Sequence, residues 1–125
     1  MKNLVIASTK KTPEIIFKTS GDLMISGNSL PGDINKFYQP ILDWIDELKI
    51  KSPSKISISF ELEHVNTSST RMILKILRKL SKIANGKKNL HIIWLFDPED
   101  SDMVEQGEAL QEIINRPFEF VAKED

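Results

Sequence analysis

Hydrophobic and polar residues alternate most clearly between Lys55 and Glu63, where an apolar side chain occupies every second position. A period of two residues is typical of a β-strand. Because its other positions are serine and glutamate, the segment predicts a strand with one buried face and one partly hydrated face. The apolar face comprises Ile56, Ile58, Phe60 and Leu62, and the polar face comprises Ser57, Ser59, Glu61 and Glu63.

Two flanking segments repeat their apolar residues at the 3.6-residue period of an α-helix. The first has a predicted core face of Phe37, Ile41, Trp44, Ile45 and Leu48. Pro40 interrupts it, so either the helix starts near Gln39 with Pro40 at its first position, or an earlier turn is kinked there. The second runs from about Arg71 to Ala84, and Asn85-Gly86 predicts its left-handed end. Its core face comprises Ile73, Ile76, Leu77, Leu80, Ile83 and Ala84.

The remaining elements lie at the two ends of the chain. Thr12 to Lys18 and Asp22 to Ser26 flank a Gly-Asp turn, which predicts a β-hairpin. Leu90 to Phe96 is nearly all apolar and predicts a central strand that is buried on both faces. Phe118 to Ala122 predicts a final edge strand.

A third helix is predicted after Asp97-Pro98-Glu99-Asp100, with Asp97 as its cap and Pro98 at its first position. It extends to about Ile114, and Pro117 follows its end. Its predicted inward residues are Met103, Leu110, Ile113 and Ile114.

This order of elements predicts an α/β fold with a mixed sheet: an N-terminal hairpin, then α-β-α-β-α-β. Strand–helix–strand units favour parallel neighbours. The polar face of the segment between Lys55 and Glu63 indicates helices mainly on one side of the sheet. A length of 125 residues fits one domain, residues 1–125.

Composition narrows the classes of function. The 17 basic and 18 acidic residues give a net charge of −1, which provides no general attraction to nucleic acid or an anionic membrane. No apolar segment approaches the ~20 residues of a membrane span, and none resembles a signal peptide. Cysteine is absent, which suits a reducing compartment. We therefore expect a soluble, cytoplasmic protein with no membrane or nucleic-acid partner.

Motifs for catalysis or cofactor binding are also absent from the sequence. His64 and His91 lack metal-ligand spacing, and no glycine-rich phosphate loop or nucleophile elbow is present. Asp97, Glu99 and Asp100 follow an apolar strand, where α/β folds often bind ligands, but acids there also cap a helix. We therefore expect no enzyme activity, no catalytic residue, no cofactor and no metal.

A hydroxyl-rich corner, Asn66-Thr67-Ser68-Ser69-Thr70, separates the alternating strand from the second helix. Side chains of these types are preferred helix caps. A helix N-terminus also favours an anion, so a hydroxyl there is a candidate for phosphorylation. The residues alone leave both interpretations open.

A basic stripe follows on the second helix, formed by Arg71, Lys75, Arg78 and Lys82. The stripe is either a solvated outer face or a docking face for an acidic partner or nucleic acid. The rest of the chain adds no basic excess and no evident aromatic platform, which argues against nucleic acid.

The order of elements and the hydroxyl-rich corner resemble STAS-type, anti-sigma-factor-antagonist-like domains. Three segments are more closely similar to the SiaC-type regulatory phosphoproteins, and the resemblance spans about Thr12 to Phe120. They are Ser26-Gly27-Asn28-Ser29-Leu30-Pro31, Phe37-Tyr38-Gln39-Pro40-Ile41-Leu42-Asp43-Trp44 and the segment from Phe60 to Thr70. Ordinary STAS antagonists have a motif closer to Asp-Ser-x-Gly, from which Asn66 and the missing glycine depart.

The resemblance implies a non-catalytic switch. In the SiaC-type proteins the threonine that corresponds to Thr67 is phosphorylated by a kinase and dephosphorylated by a PP2C-type phosphatase. The unphosphorylated form binds and activates a diguanylate cyclase, which tunes cyclic-di-GMP and biofilm behaviour. We expect Thr67 to be the phosphorylation site, and Asn66, Ser68, Ser69, Arg71 and Lys75 to form the surrounding switch surface.

Two other classes of function remain. A small-ligand-binding or enzymatic α/β domain would use the ends of the strands, which only the general behaviour of such folds supports. A nucleic-acid binder would use the basic stripe. A bound small molecule would favour the first class, and salt-sensitive retention on DNA or RNA would favour the second.

Overall fold

The computed structural model describes residues 1–84 and 89–124 and contains three helices and six strands in these ranges. The strands are β1 (Leu4–Ile6), β2 (Glu14–Phe17), β3 (Asp22–Ser29), β4 (Ile56–Val65), β5 (Leu90–Phe96) and β6 (Phe118–Ala122). The helices are α1 (Ile34–Lys51), α2 (Thr67–Ala84) and α3 (Ser101–Ile114). Within these ranges, no helix is long and apolar enough to cross a membrane.

The six strands form one mixed sheet in the order β1-β2-β3-β4-β5-β6. β1, β2 and β3 pair antiparallel, and β3 to β6 are parallel neighbours. Each parallel neighbour is reached through one helix, because a parallel connection must carry the chain back along the sheet. The predicted hairpin, mixed sheet and C-terminal edge strand are therefore confirmed.

The buried residues of the sheet lie on one face. In one row of the register, Ile25, Phe60 and Trp94 are neighbours across β3, β4 and β5, and all three are buried. The helices cover this face with the residues predicted for the shared core, namely Ile41, Trp44, Ile73, Ile76, Leu77 and Leu80. The predicted α/β fold with helices mainly on one side is confirmed.

β5 corrects one prediction. Leu90, Ile92 and Trp94 are buried, but His91 is exposed and Ile93 is half-buried. Since the helices leave the second face of the sheet open, alternate residues of β5 face solvent. The expectation of a strand buried on both faces was therefore wrong, and β5 is the strand next to the β6 edge rather than a central one.

The start of α1 resolves the alternatives that Pro40 left open. The helix begins at Ile34, where Asp33 accepts a hydrogen bond from the backbone N–H of Lys36 at 3.1 Å. Pro40 therefore lies inside the helix, and a start near Gln39 is excluded. Tyr38 is fully buried in this region, whereas Phe37, which the periodicity placed in the core, is only partly buried.

α3 begins later than the sequence indicated. Asp100 caps it by accepting from the N–H of Met103 at 3.1 Å, while Asp97 accepts from the N–H of Glu99 in the preceding turn. Asp97 is therefore not the cap. Ile113, predicted to be inward, is 55% exposed. Ile83 of α2 is only partly buried, and the predicted helix end at Asn85-Gly86 lies outside the described residues.

Candidate functional site

The strand-to-helix corner is tighter than the sequence indicated. β4 ends at Val65 and α2 begins at Thr67, about one turn earlier than Arg71. Asn66 caps the helix, since its Oδ1 accepts from the backbone N–H of Ser69 at 2.8 Å. Thr67 is therefore the first residue of α2, where backbone N–H groups have no intrahelical acceptor.

The four hydroxyl residues of the corner differ in exposure. Thr67 is exposed, Ser68 and Thr70 are half-buried, and Ser69 is fully buried. The Thr70 hydroxyl donates to the backbone oxygen of Asn66 at 3.2 Å, so it is engaged within the helix. Among these four residues, Thr67 is therefore the most exposed.

Ser69 belongs to a buried hydroxyl network that joins three elements. The Ser69 hydroxyl donates to the backbone oxygen of Ser29 at 2.8 Å and accepts from the Ser29 hydroxyl at 2.7 Å. The Ser29 hydroxyl also lies 2.5 Å from the hydroxyl of Tyr38. The end of β3, the first half of α1 and the first turn of α2 are thereby fixed together beneath Thr67.

Burial has an electrostatic consequence at Tyr38. Removal from solvent raises the pKa of the Tyr38 phenol, because the charged phenolate loses hydration, while hydrogen bonds with Ser29 and Ser69 act in the opposite direction. The net effect keeps the hydroxyl protonated. It is therefore available as a donor, and a chain from Tyr38 through Ser29 to Ser69 satisfies all three hydroxyls.

This network was not predicted from the sequence, although the sequence contains a weak signal for it. In β3 the residues Leu23 and Ile25 point inward, and the same alternation places Ser29 on the inward side. Gly27 bends the strand there with a φ of 116°, a conformation that side-chain-bearing residues rarely adopt, and the register shifts between Gly27 and Ser29. A serine at an inward position beside a bend indicates a buried polar contact, but not its partner.

A groove of about 330 Å³ lies between α2 and α3 beside this corner. It is lined by Val65, Thr67, Thr70, Arg71, Gln106, Ala109, Leu110 and Ile113. Thr67 and Arg71 form its α2 wall, and Ala109 and Ile113 belong to its α3 wall. The predicted acceptor threonine therefore lies on the wall of a mostly apolar groove.

The other predicted surface residues lie around this groove in different environments. Arg71 and Lys75 are exposed, but Lys75 does not line the groove. Asn66 and Ser68 are half-buried at the helix start. Ser69, which the sequence grouped with the surface residues, is 0% exposed and lies inside the molecule. A contribution of Ser69 to binding would therefore be indirect, through the position of α2.

The basic stripe is open to solvent on α2. Arg78 and Lys82 are exposed like Arg71 and Lys75. By contrast, Lys79 on the neighbouring face forms an ion pair with Asp46 of α1 at 2.7 Å. The stripe is thus exposed to solvent, which agrees with both the solvated-face and the docking-face interpretations and does not decide between them.

A second cleft, of about 370 Å³, lies at the carboxyl ends of β4 and β5, where a small-ligand domain would bind its ligand. It is mainly acidic: its lining comprises Leu62, Glu63, His64, Asp97, Glu99, Asp100 and Lys123. Within residues 1–84 and 89–124, no three His, Cys, Asp or Glu side chains converge as metal ligands. The cleft shows no arrangement of nucleophile and base.

Residues 6–123 match the sequence model of the SiaC family of regulatory phosphoproteins. The chain belongs to the SiaC family. The match includes the Thr67 corner and both helices of the groove. The resemblance drawn from the sequence is therefore confirmed, and the family is one of regulatory proteins.

Relatives from Pseudomonas aeruginosa support the assignment. An uncharacterized protein of strain UCBPP-PA14 is 25% identical over 126 residues, which cover the whole of both chains. The crystal structure of apo-SiaC superposes with a TM-score of 0.84 at 24% identity, covering 99% of this chain and 100% of that one, which shows a shared fold. A structure of the diguanylate cyclase SiaD in complex with its activator SiaC gives a TM-score of 0.88 at 25% identity, covering 96% and 99%.

Proposed function

We propose that this protein is a non-catalytic, cytoplasmic binding module controlled by phosphorylation of Thr67. Unphosphorylated, it binds and activates a diguanylate cyclase and so raises cyclic-di-GMP. An ATP-dependent protein kinase adds the phosphate and a PP2C-type phosphatase removes it. Membership in a family of regulatory phosphoproteins supports the regulatory role, and the SiaD–SiaC complex of P. aeruginosa supports the kind of partner.

The observation that carries the proposal is the exposure of Thr67 at the first position of α2, on the wall of the groove. The neighbouring hydroxyls of Ser69 and Thr70 are already engaged in hydrogen bonds. Ser68 is half-buried, so Thr67 is the most exposed hydroxyl-bearing residue that a kinase meets in this corner. A partner seated over the groove would cover it.

The magnitudes favour a switch of binding over a switch of folding. A phosphothreonine adds ~1.5–2 negative charges at pH 7. At an exposed helix N-terminus such a charge stabilises the helix by only about 0.3–1 kcal/mol, so the fold stays intact. Burying a phosphate dianion that is not fully neutralised under a partner costs several kcal/mol, and a loss of ~4 kcal/mol lowers the affinity about a thousandfold.

The test is a binding titration with the diguanylate cyclase of the same organism. Thr67→Ala should bind like the wild type, because an exposed methyl and hydroxyl contribute little to the surface. Thr67→Glu should bind more weakly, although less so than the phosphorylated protein, because it carries one charge rather than nearly two. Both variants should unfold at the wild-type midpoint.

Ser54→Glu provides the matched control. Ser54 is exposed in the loop before β4, so the ten residues of that strand, roughly 33 Å, separate its end of the sheet from the Thr67 corner. Ser54→Glu adds the same negative charge as Thr67→Glu but lies outside the groove, so it should leave the affinity for the cyclase unchanged. Equal binding by phosphorylated and unphosphorylated protein, or stoichiometric phosphate on another residue, would refute the proposed function.

A further inference from the structure

The α3 wall of the groove exposes apolar surface that the rest of the fold does not use. Ile113 is 55% exposed and Ala109 is exposed, while Leu110, which also lines the groove, is buried. The sequence periodicity had placed Ile113 in the core. An exposed isoleucine beside an apolar groove is typical of a surface that a partner covers.

The α2 wall supplies a positive charge. Arg71 is exposed and, within the described part of the chain, forms no ion pair. Lys75 and Arg78 extend the positive charge along the same helix. A partner that presents carboxylates along this wall matches the positive charge of α2, and apolar side chains of the same partner match the apolar lining of the groove.

The shape of the groove indicates the backbone of such a partner. Both walls are helices, whose backbone groups are paired internally, so neither wall offers a strand edge to an extended peptide. A helical partner makes its backbone hydrogen bonds internally and can insert its side chains at positions i, i+3 and i+4 into the groove. A groove of about 330 Å³ accommodates a few such side chains.

We infer that the groove binds an acidic amphipathic helix of the partner, and that Arg71 is the cation that holds a partner carboxylate. This inference rests on the proposed function. Arg71 lies four residues after Thr67, so their side chains are neighbours on one helix face, with Cβ atoms about 5–6 Å apart. Phosphate on Thr67 pairs with Arg71 and thereby removes the charge that the partner needs.

The first test measures cyclase affinity in charge variants with unmodified Thr67. Arg71→Gln should weaken binding at least about tenfold, because it leaves a partner carboxylate unpaired in the interface. Lys82→Gln removes the same charge three turns further along the stripe and should stay within about twofold. If Arg71→Gln binds the cyclase with wild-type affinity, the inference is overturned. The proposed function is tested separately, because it requires only that phosphate on Thr67 weakens cyclase binding by the wild type.

The second test addresses the apolar wall. Ile113→Asp should weaken binding at least about tenfold, since it places a carboxylate in the apolar part of the interface. Ile50→Asp is the control, because Ile50 is 87% exposed on α1, outside the groove. Equal affinities of the two variants would overturn the inference. Hydrogen exchange should locate the bound cyclase segment, and a basic or non-helical segment would also overturn it.

The third test detects the Thr67–Arg71 pair without any partner. Phosphothreonine is incorporated at position 67 during translation, and its second ionisation is followed by phosphorus NMR. Because Arg71 favours the dianion, Arg71→Gln should raise the phosphate pKa by about 0.3 unit. An unchanged phosphate pKa in Arg71→Gln would show that the phosphate does not pair with Arg71, and it would overturn the inference that Arg71 pairs alternately with the phosphate and the partner.

Discussion

The buried hydroxyl network should make Ser69 a main contributor to the stability of the corner. Ser69→Ala removes the hydrogen bond to the backbone oxygen of Ser29 at 2.8 Å and the acceptor of the Ser29 hydroxyl at 2.7 Å. Ser29 and Tyr38 are both 0% exposed, and their two hydroxyls share a single hydrogen bond, so one of the two hydroxyl hydrogens is left without an acceptor. A buried hydrogen-bond donor without an acceptor lowers the free energy of unfolding by about 1–3 kcal/mol.

This cost translates into a measurable shift of the melting temperature. With an unfolding entropy of roughly 2.1 cal/mol/K per residue, a 125-residue protein loses about 4 °C per kcal/mol. We therefore expect Ser69→Ala to melt about 4–11 °C below the wild type in circular dichroism, with a matching fall of the urea midpoint.

Ser68→Ala is the matched control. Ser68 is the preceding residue of the same helix turn, is half-buried and has no side-chain hydrogen bond within the described residues. The gain in helix propensity from serine to alanine is similar at both positions. Ser68→Ala should therefore stay within about 0.5 kcal/mol of the wild type. If both variants melt together, the network does not stabilise the corner.

Three further predictions test the core. Leu77→Ala should cost ~2–5 kcal/mol, because Leu77 is fully buried, and an unchanged denaturant midpoint would contradict its position. Gly107→Ala should cost about 1–3 kcal/mol despite better helix propensity, because the new Cβ would lie 2.7 Å from the indole of Trp94; a raised midpoint would contradict this. Tyr38 has a raised pKa in the folded state, so its contribution to stability is present below pH ~10 and lost as pH rises through the folded value. The phenolate absorbance of this single tyrosine in native protein should titrate above the value of the unfolded chain, and equal values would contradict its burial.

Local periodicity predicted most of the elements because each depends on neighbours along the chain. The alternation from Ile56 to Leu62 gave both the strand and its buried face, since side chains of a strand alternate across a sheet. The prediction that Leu90 to Phe96 is buried on both faces was wrong, because an apolar run does not reveal whether helices cover both faces of a sheet. The prediction that Ile113 points inward was wrong for a related reason. Helical periodicity identifies an apolar face of a helix, but it does not show whether the rest of the chain covers that face.

The candidate site was predictable in part. The corner and its exposed threonine follow from the strand-to-helix transition and from the family resemblance. The contact between Ser29 and Ser69 spans 40 residues and depends on the parallel pairing of β3 with β4, which no local pattern encodes. The position of Asp100 rather than Asp97 as the cap of α3 depends on which of two neighbouring acids meets the first free N–H groups.

We expect phosphate on Thr67 to control partner binding. The most direct measurement is the affinity of the diguanylate cyclase for two preparations of the intact protein, one unmodified and one with phosphothreonine incorporated at position 67. We expect the phosphorylated preparation to bind about a thousandfold more weakly, with both preparations folded to the same extent. Equal affinities would contradict it.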